Sequence, residues 1–479
     1  MKKRYIFTIC AGMMLAAASC DDFLTEMPVN EYTLENSVTD YKTAQNAVNG
    51  IYGEYVSSSN LGGYMYGALH CMAGIWDYSN EFVTMGYKQS SNNSTISGVW
   101  SGWYYVVNAA NAAIEGINRL DDDKFPSADA KNALLAEARA FRGYANLHLL
   151  WFFGHWFDSA DSPYGIIYRD KTSELTNLML PRVSVGESYQ LILDDLEFAE
   201  NYLGDYTSPR KLSVQFIKSM HAKLLLVRNW EGDYAKALAL VNDVLAKPGA
   251  LAMETNVSEL YENSWDSKEL MFGRYLGDGT NYSYSEFTYS YGLYFNEDFT
   301  EEIQTWMEED ERFPYTFGNA RSPETWQDQR KDNILTKLYH RGRYEGMNDK
   351  YTSYNMRYAE LYLMKAELLA RTNPSDLTAP LAELNKLRES YVTPVMAPVT
   401  GISTHQQLMD AIYKEYIVTL LMENETPWFA SVRFEHDGQP WVKVLKPGVD
   451  FSQNQYCWPI PDAEIIAHSN PIEQNPGLE

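Results

Sequence analysis

Cysteine is scarce in this sequence, with four residues among 479. Small exported domains that depend on disulfides carry cysteine far more densely, so a disulfide scaffold is excluded. Cys10 lies within the N-terminal apolar run, and Cys20 follows that run directly. Only Cys71 and Cys457 remain for the body of the protein, where they can form one disulfide or stay as two buried thiols.

Basic residues are also few. The chain has 39 Lys and Arg against 64 Asp and Glu, which gives a formal net charge of −25. A field of this sign repels phosphate backbones and anionic lipid headgroups. We therefore expect no nucleic-acid partner, whereas a neutral ligand is compatible with the charge.

Motifs for catalysis and for cofactors are missing. The sequence contains no glycine-rich phosphate loop, no HExxH, no GxSxG and no calcium loop of the DxDxDG type. Paired carboxylates, which a glycosidase needs, occur by chance among so many acidic residues, so their number says nothing about catalysis. A glycoside hydrolase is kept only as a remote alternative. His148 is interpreted as a core or surface residue rather than a ligand. We expect no enzyme activity, no cofactor and no metal site.

The N-terminus indicates export. Met1 to Arg4 is basic, Tyr5 to Ala18 is a short apolar run, and Ala17-Ala18-Ser19-Cys20 resembles a bacterial lipobox. We predict a signal peptide over residues 1–19 and lipidation of Cys20; the alternative is an ordinary secretory leader with a chance cysteine. The acidic pair that follows Cys20 resembles a signal for the outer cell surface. Since no second apolar span follows, we expect a protein tethered to the outer membrane.

The clearest folding signal runs from Ser213 to Pro248. Apolar residues recur at helical spacing in both halves, with a polar turn at Asn229–Asp233 between them. This pattern predicts a short-looped antiparallel helix pair. The turn and second helix partly resemble a tetratricopeptide repeat, and the alternative is an ordinary helical hairpin.

Helical spacing recurs along the chain. We predict one domain over 20–479 and a mainly α fold, a tetratricopeptide-like scaffold of helix pairs with long irregular insertions. The pairs are expected mainly within 40–56, 100–153, 184–248 and 354–421, with helical spacing resuming at Tyr354 in the last range. The insertions are expected at about 57–99 and 254–343.

Several stretches together resemble the SusD/RagB family of surface lipoproteins. They are Ala136–Phe157, Leu180–Ser184, Arg357–Leu369 and the Pro- and Asn-rich end at Cys457–Gly477, and Trp100, Tyr104 and Asn111 also match the family spacing. Glu423–Arg433 departs from it, because the family has a Gly after the Glu and an Arg before the Trp. The resemblance implies a non-catalytic helical scaffold that binds oligosaccharide, or sometimes peptide, and lies over a SusC-like TonB-dependent transporter as a lid.

Candidate ligand-binding residues come from aromatic side chains mixed with small polar ones. Sugar rings have apolar C–H faces and polar rims, so flat rings beside Asn or Asp suit them. One cluster lies in and after the first insertion: Trp76, Asp77, Tyr78, Asn80, Trp100 and Trp103. The second is the tyrosine cluster Tyr282, Tyr284, Tyr289 and Tyr291. The alternative is that these rings form the core of irregular segments, and Trp103, off the main stripe of its helix, is expected to be the freer of the two later tryptophans.

Overall fold

The computed structural model describes residues 37–76, 90–274, 295–321, 330–335, 337, 353–449, 452–467 and 472–478. Helices dominate these residues, and the few strands form three two-stranded antiparallel sheets. The predicted mainly α fold is confirmed. Cys71 and Cys457 are both buried and are not joined in a disulfide. Burial raises the pKa of the Cys457 thiol to about 12, so this sulfur stays an unreactive thiol.

Elements are numbered in chain order. Up to Gly273 they are α1 (Tyr41–Ser57), α2 (Gly63–Met72), α3 (Ser94–Arg119), α4 (Ala128–Phe153), α5 (Val185–Tyr202), α6 (Val214–Arg228), α7 (Asp233–Ala246), α8 (Val257–Asn263) and β1 (Leu270–Gly273). From Phe295 they are α9 (Phe295–Asp298), α10 (Glu301–Glu308), α11 (Phe313–Thr316), β2 (Phe317–Arg321), β3 (Arg330–Leu335), β4 (Tyr354–Arg357), α12 (Tyr358–Thr372), α13 (Thr378–Glu389), α14 (His405–Thr419), α15 (Thr426–Arg433), β5 (Glu435–His436), β6 (Gln439–Pro440), α16 (Trp441–Leu445) and α17 (Asp462–Ala467).

The long helices stack on one another in sequence. Helix α1 packs on α3, α3 on α4, α4 on α5, α5 on α6 and α6 on α7. The stack then continues through α7 onto α12, which also packs on α13 and α14. Each pair therefore buries its apolar stripe against its neighbours, as in repeat scaffolds.

The predicted pair at Ser213–Pro248 is present as α6 and α7. The Ser213 hydroxyl accepts a hydrogen bond from the Phe216 amide, which caps α6. The chain then reverses through two residues with positive φ, Asn229 at 54° and Gly232 at 84°. Arg228 and Asp233 pair across this turn with an Nη2–Oδ1 distance of 2.6 Å.

The first insertion is more helical than predicted. Residues 63–72 form α2, and α3 begins at Ser94, so the expected irregular segment at 57–99 is wrong over these parts. Helix α2 has no polar face, because Met65, Tyr66, Leu69 and their described neighbours are all buried, and a helix buried all round shows no amphipathic period. The start of α3 had a usable signal, since the Asn93 side chain caps it by accepting from the amides of Thr95 and Ile96.

The second insertion also contains regular elements. It includes α8, β1, α10 and β2, all of eight residues or fewer, which are too short to show a period reliably. Residues 354–357, predicted as the start of a helix, form strand β4 instead, paired antiparallel with β1. Helix α12 begins only at Tyr358.

A knot of buried charge joins the second insertion to the scaffold. Arg357 bonds Glu269 beside β1 and Glu423 after α14, and Lys337 also reaches Glu423 at 2.8 Å. The side chains of all four residues are at most 1% exposed. Buried charges persist only when they are paired in this way. The departure from the family pattern at Glu423 therefore lies within this knot.

Candidate ligand-binding surfaces

The two aromatic segments of the sequence leave the scaffold side by side. Trp76, the last described residue before 77–89, forms an antiparallel bridge with Phe299, which lies just after the undescribed range 275–294. The Thr300 amide donates to the Ile75 carbonyl at 3.2 Å, and the Thr300 hydroxyl bonds the Gly74 carbonyl at 3.0 Å. The first segment therefore begins beside the point where the second one ends.

Trp76 is part of this contact between residues 74–76 and residues 299–300, and its ring has no face open to a ligand. Its side chain is 1% exposed, and its indole N–H donates to the Gly67 carbonyl at 2.9 Å. The prediction that its ring contacts ligand is corrected by this burial. Asp77, Tyr78 and Asn80 lie outside the described residues.

The second segment begins at a residue that is anchored to α1. The Arg274 guanidinium donates to the carbonyls of Val56 and Ser58 at 2.6 and 2.7 Å, and it lies 5.6 Å from the Tyr55 ring centre. Described residues on either side of the range 275–294, Arg274 and Phe299, are thus fixed to the scaffold. The predicted Tyr282, Tyr284, Tyr289 and Tyr291 lie outside the described residues.

Trp103 is a core residue. It is fully buried, with its ring stacked on Tyr55 at 5.8 Å and on His148 at 4.4 Å between centroids. The expectation that it is freer than Trp100 is wrong, because α3 is covered on one side by α1 and on another by α4. His148 is likewise a core residue, with Nδ1 2.9 Å from the Tyr144 carbonyl.

Trp100 lines an open groove of about 380 Å³. The groove lies between the first half of α3, the loop that follows Arg169, and α17. Trp100 is 6% exposed, and its indole N–H donates to Glu464 of α17 at 3.2 Å. Of the three predicted residues that the structure describes, Trp100 is the least buried, and it lines this groove.

Polar groups in this groove are already engaged. The Arg169 guanidinium donates to the carbonyls of Asn177 and Leu178, at 3.2 and 2.8 Å. The Asn108 side-chain oxygen accepts from the Ser173 amide at 2.7 Å. The Tyr104 hydroxyl donates to the Ile167 carbonyl at 2.9 Å, where burial raises the pKa of that hydroxyl. These contacts hold the loop against α3 and are not arranged for a row of sugar hydroxyls.

The groove instead offers apolar surface to solvent. Tyr105 is 60% exposed, Met179 47% and Leu178 36%. Leu175 and Ile466 lie within the same two wall segments and are 93% and 81% exposed. The sequence analysis missed this surface, although Leu175, Leu178 and Met179 stand out as large apolar residues in an otherwise polar loop.

The stretches that resemble one family converge at the end of α4. The side-chain amide of Asn475 donates to the backbone carbonyls of Phe153 and Trp458 at 2.9 and 3.0 Å. Arg182 donates to the carbonyls of Gly165 and Phe153 at 2.8 and 3.3 Å. Three signature stretches, far apart in sequence, therefore close one corner of the scaffold. Their role in this corner is structural.

Comparison with known families agrees with this convergence. A family model described as starch-binding and associating with the outer membrane matches residues 22–222, and the SusD family model matches residues 283–478. The chain belongs to the SusD family. A SusD-like protein P2 from Formosa agariphila is 25% identical over 99% of this chain and all of its own length. A SusD-like protein from Bacteroides ovatus is 26% identical over 56% of this chain and 49% of its own length.

Solved SusD-superfamily structures share the fold. One from Parabacteroides distasonis covers 91% of this chain and 99% of its own, at 18% identity, with a TM-score of 0.71. One from Bacteroides thetaiotaomicron covers 91% of this chain and all of its own, at 17% identity, with a TM-score of 0.68. Another solved structure, which contains a xylogluco-oligosaccharide, covers 89% of this chain and 99% of its own, at 18% identity, with a TM-score of 0.66.

The described residues contain neither a membrane-spanning helix nor a cluster of metal-binding side chains. None of the helices in this part of the chain is both long and apolar enough to cross a membrane. Over the same residues, no group of three or more His, Cys, Asp and Glu side chains is placed to hold a metal ion.

Proposed function

We propose that this SusD-family protein is a cell-surface lipoprotein that captures oligosaccharide, without catalysis, and delivers it to a SusC-like TonB-dependent transporter. The observation that carries the proposal is the bridge between Trp76 and Phe299, which joins the roots of the two aromatic segments. Segments that leave the scaffold at one place can contribute rings and polar groups to one ligand.

The chemistry of the two segments supports a sugar ligand. Residues 77–80 combine Asp77, Tyr78 and Asn80, and residues 282–291 add four tyrosines in a Ser-rich stretch. Aromatic faces pack on the C–H faces of pyranose rings, while carboxylate and amide groups bond their hydroxyls. A related structure was solved with a xylogluco-oligosaccharide, which is a ligand of this chemical class.

The sequence of the N-terminus supports the proposed location. Lipidation at Cys20 would tether the chain to the outer membrane, and the acidic residues after it favour the outer face. This part can be tested by itself: Cys20→Ala should abolish incorporation of labelled fatty acid and release the protein from the membrane fraction. Unchanged labelling would show that Cys20 is not the lipidated residue.

Isothermal titration against a panel of oligosaccharides tests the ligand class. We expect at least one neutral glycan to bind and no product to be released from it. Tyr78→Ala should weaken that binding without lowering the melting temperature, whereas Tyr105→Ala, in the separate groove, should leave it unchanged. Silence across the glycan panel, with binding to peptides instead, would overturn the sugar assignment.

A further inference from the structure

The apolar groove on α3 needs an occupant. Nine large hydrophobic residues are exposed in the described part of the chain, and three of them line this groove: Tyr105, Leu178 and Met179. Leu175 and Ile466, also exposed, lie in the same loop and the same helix as other lining residues. Scattered exposed apolar residues are ordinary, but a contiguous group of them marks an interaction site. The Arg169, Asn108 and Tyr104 side chains of the groove are already bonded within the protein, so its occupant should contribute mainly apolar side chains.

The chain itself supplies such a segment close to the groove. The described residues begin at Ser37, and Val38 packs against Gly116 of α3, where a Cβ would lie 2.6 Å from a Val38 methyl carbon. Tyr105 lies eleven residues earlier on the same helix, about 17 Å away at about 1.5 Å per residue. Eleven residues at about 100° each bring Tyr105 to within about 20° of Gly116 around the helix axis. The chain that precedes Val38 therefore starts beside the side of α3 that carries Tyr105.

Length and composition both fit. Residues 20–36 can span about 55 Å when extended, which is more than twice the distance of about 24 Å along α3 from Gly116 to Trp100. Half of the residues in 23–34 are large and apolar: Phe23, Leu24, Met27, Val29, Tyr32 and Leu34. Pro28 favours an extended backbone around it, and an extended segment presents side chains to a groove without needing a helix.

We propose that residues 23–34 of this chain lie in the groove formed by α3, the loop after Arg169, and α17. The segment covers the exposed apolar side chains and fixes the path from Cys20 to the scaffold. The groove side of the scaffold then lies closest to residue 20. This proposal does not depend on which ligand the two aromatic segments bind.

A photo-crosslinking probe in the groove tests the proposal. The probe is benzoylphenylalanine in place of Tyr105 in the full chain, which preserves an exposed ring at this position. After irradiation and digestion, we expect intrachain crosslinks to peptides within 21–36. The same probe at Tyr202, which is 41% exposed on α5, should give none. Crosslinks only to a second copy or to another protein, or no crosslinks from Tyr105, would overturn the assignment.

Hydrogen exchange gives an independent test. The six apolar residues of 23–34 are changed to Ser, and amide exchange is followed in the loop 172–182. We expect exchange in this loop to become roughly tenfold faster, because removing a packed segment lowers the cost of local opening. Exchange at Val392 and Val395, exposed apolar residues outside the groove, should not change. Equal exchange rates in loop 172–182 for the native protein and the six-Ser variant would contradict the proposal.

Discussion

The buried knot around Arg357 and the groove on α3 depart in opposite ways from the usual distribution of residues. In the knot, Arg357, Glu269, Glu423 and Lys337 place charge in the interior. In the groove, large apolar side chains face solvent, with Tyr105 at 60% and Met179 at 47% exposure. Charged residues are almost never fully buried unless paired, and contiguous apolar surface is seldom left open.

The difference lies in where each region finds its partners. Every charge of the knot is met by another within the described chain, and the Thr419 carbonyl also accepts from Arg357. The groove's apolar side chains have only part of their surface covered by the described residues. The knot is therefore part of the scaffold, and it holds β1 and β4 against α14. The groove, in contrast, is a surface that binds a further segment of the chain.

Breaking the knot should have the largest effect. Glu423→Ala leaves Arg357 and Lys337 buried with a lost partner, so we expect the free energy of unfolding to fall by about 3–5 kcal/mol. Urea denaturation at pH 7.5 measures this change. The matched control is Glu309→Ala, which removes an exposed pair with Lys414 and should cost under about 1 kcal/mol. Equal losses for the two variants would contradict the role given to the knot.

His70, beside the knot, should make stability depend on pH. Its Nδ1 lies 2.7 Å from the Tyr66 carbonyl and its Nε2 accepts from the Met422 amide at 3.0 Å, so the ring is neutral with the proton on Nδ1. Burial lowers the pKa of His70 from 6.5 to about 4. As the pH falls, His70 is protonated in the unfolded chain before it is protonated in the folded one. Its contribution to the free energy of unfolding is therefore complete above pH 6.5 and is lost between pH 6.5 and 4.

The expected loss over that range is about 3 kcal/mol. It is measured by urea denaturation at pH 7.5, 5.5 and 4.5. His70→Gln, which cannot take up the proton, should flatten the dependence in this window. The buried carboxylate of Glu425 affects stability at lower pH. Burial would raise the pKa of Glu425, but Lys223 and His148 lower it to about 2. Its contribution to stability is therefore lost only as the pH falls below about 4.5. A smaller slope remains in His70→Gln, because burial also lowers the pKa of His155. An undiminished slope between pH 6.5 and 4 in this variant would contradict the assignment.

The polar rim of the groove should matter less. Asn108→Ala removes the acceptor of the Ser173 amide, and we expect about 1 kcal/mol of destabilisation from one partly exposed hydrogen bond. Glycan affinity, measured by titration, should stay the same, because this side chain holds a loop. A large loss of affinity with unchanged stability would instead make the groove a sugar site.

The smallest effect on stability is expected from the apolar wall. Met179→Ser should change the free energy of unfolding by under about 0.5 kcal/mol when residues 23–34 have been changed to Ser, since an exposed side chain then loses little. With the native segment present the loss should be larger. Identical losses in the free energy of unfolding, with and without the native residues 23–34, would show that Met179 does not contact that segment.

Sequence patterns predicted the helices in which apolar residues recur at helical spacing between polar ones. Helix α7 has one buried stripe, with Ala237, Val241 and Val244, and exposed residues between them, so its apolar period was visible. In α6 nearly every side chain is buried, but polar residues such as Lys218 and Lys223 lie between its apolar ones and mark the period. Helix α2 is buried all round and showed no period. Trp103 lies off the main stripe of α3, but tertiary packing covers that side too. The groove could not be predicted because Tyr105 on α3, Met179 in a loop and Ala467 on α17 come together only through the chain's long-range packing.

The central claim is that the two aromatic segments rooted at Trp76 and Phe299 form one binding site. Titration of a bound oligosaccharide against Tyr78→Ala, Tyr284→Ala and the double variant tests it most directly. The account predicts that each single change weakens affinity roughly tenfold, about 1.4 kcal/mol, and that the double variant departs from the sum of the two. Loss of affinity from only one of the two segments, with no effect from the other, would contradict it.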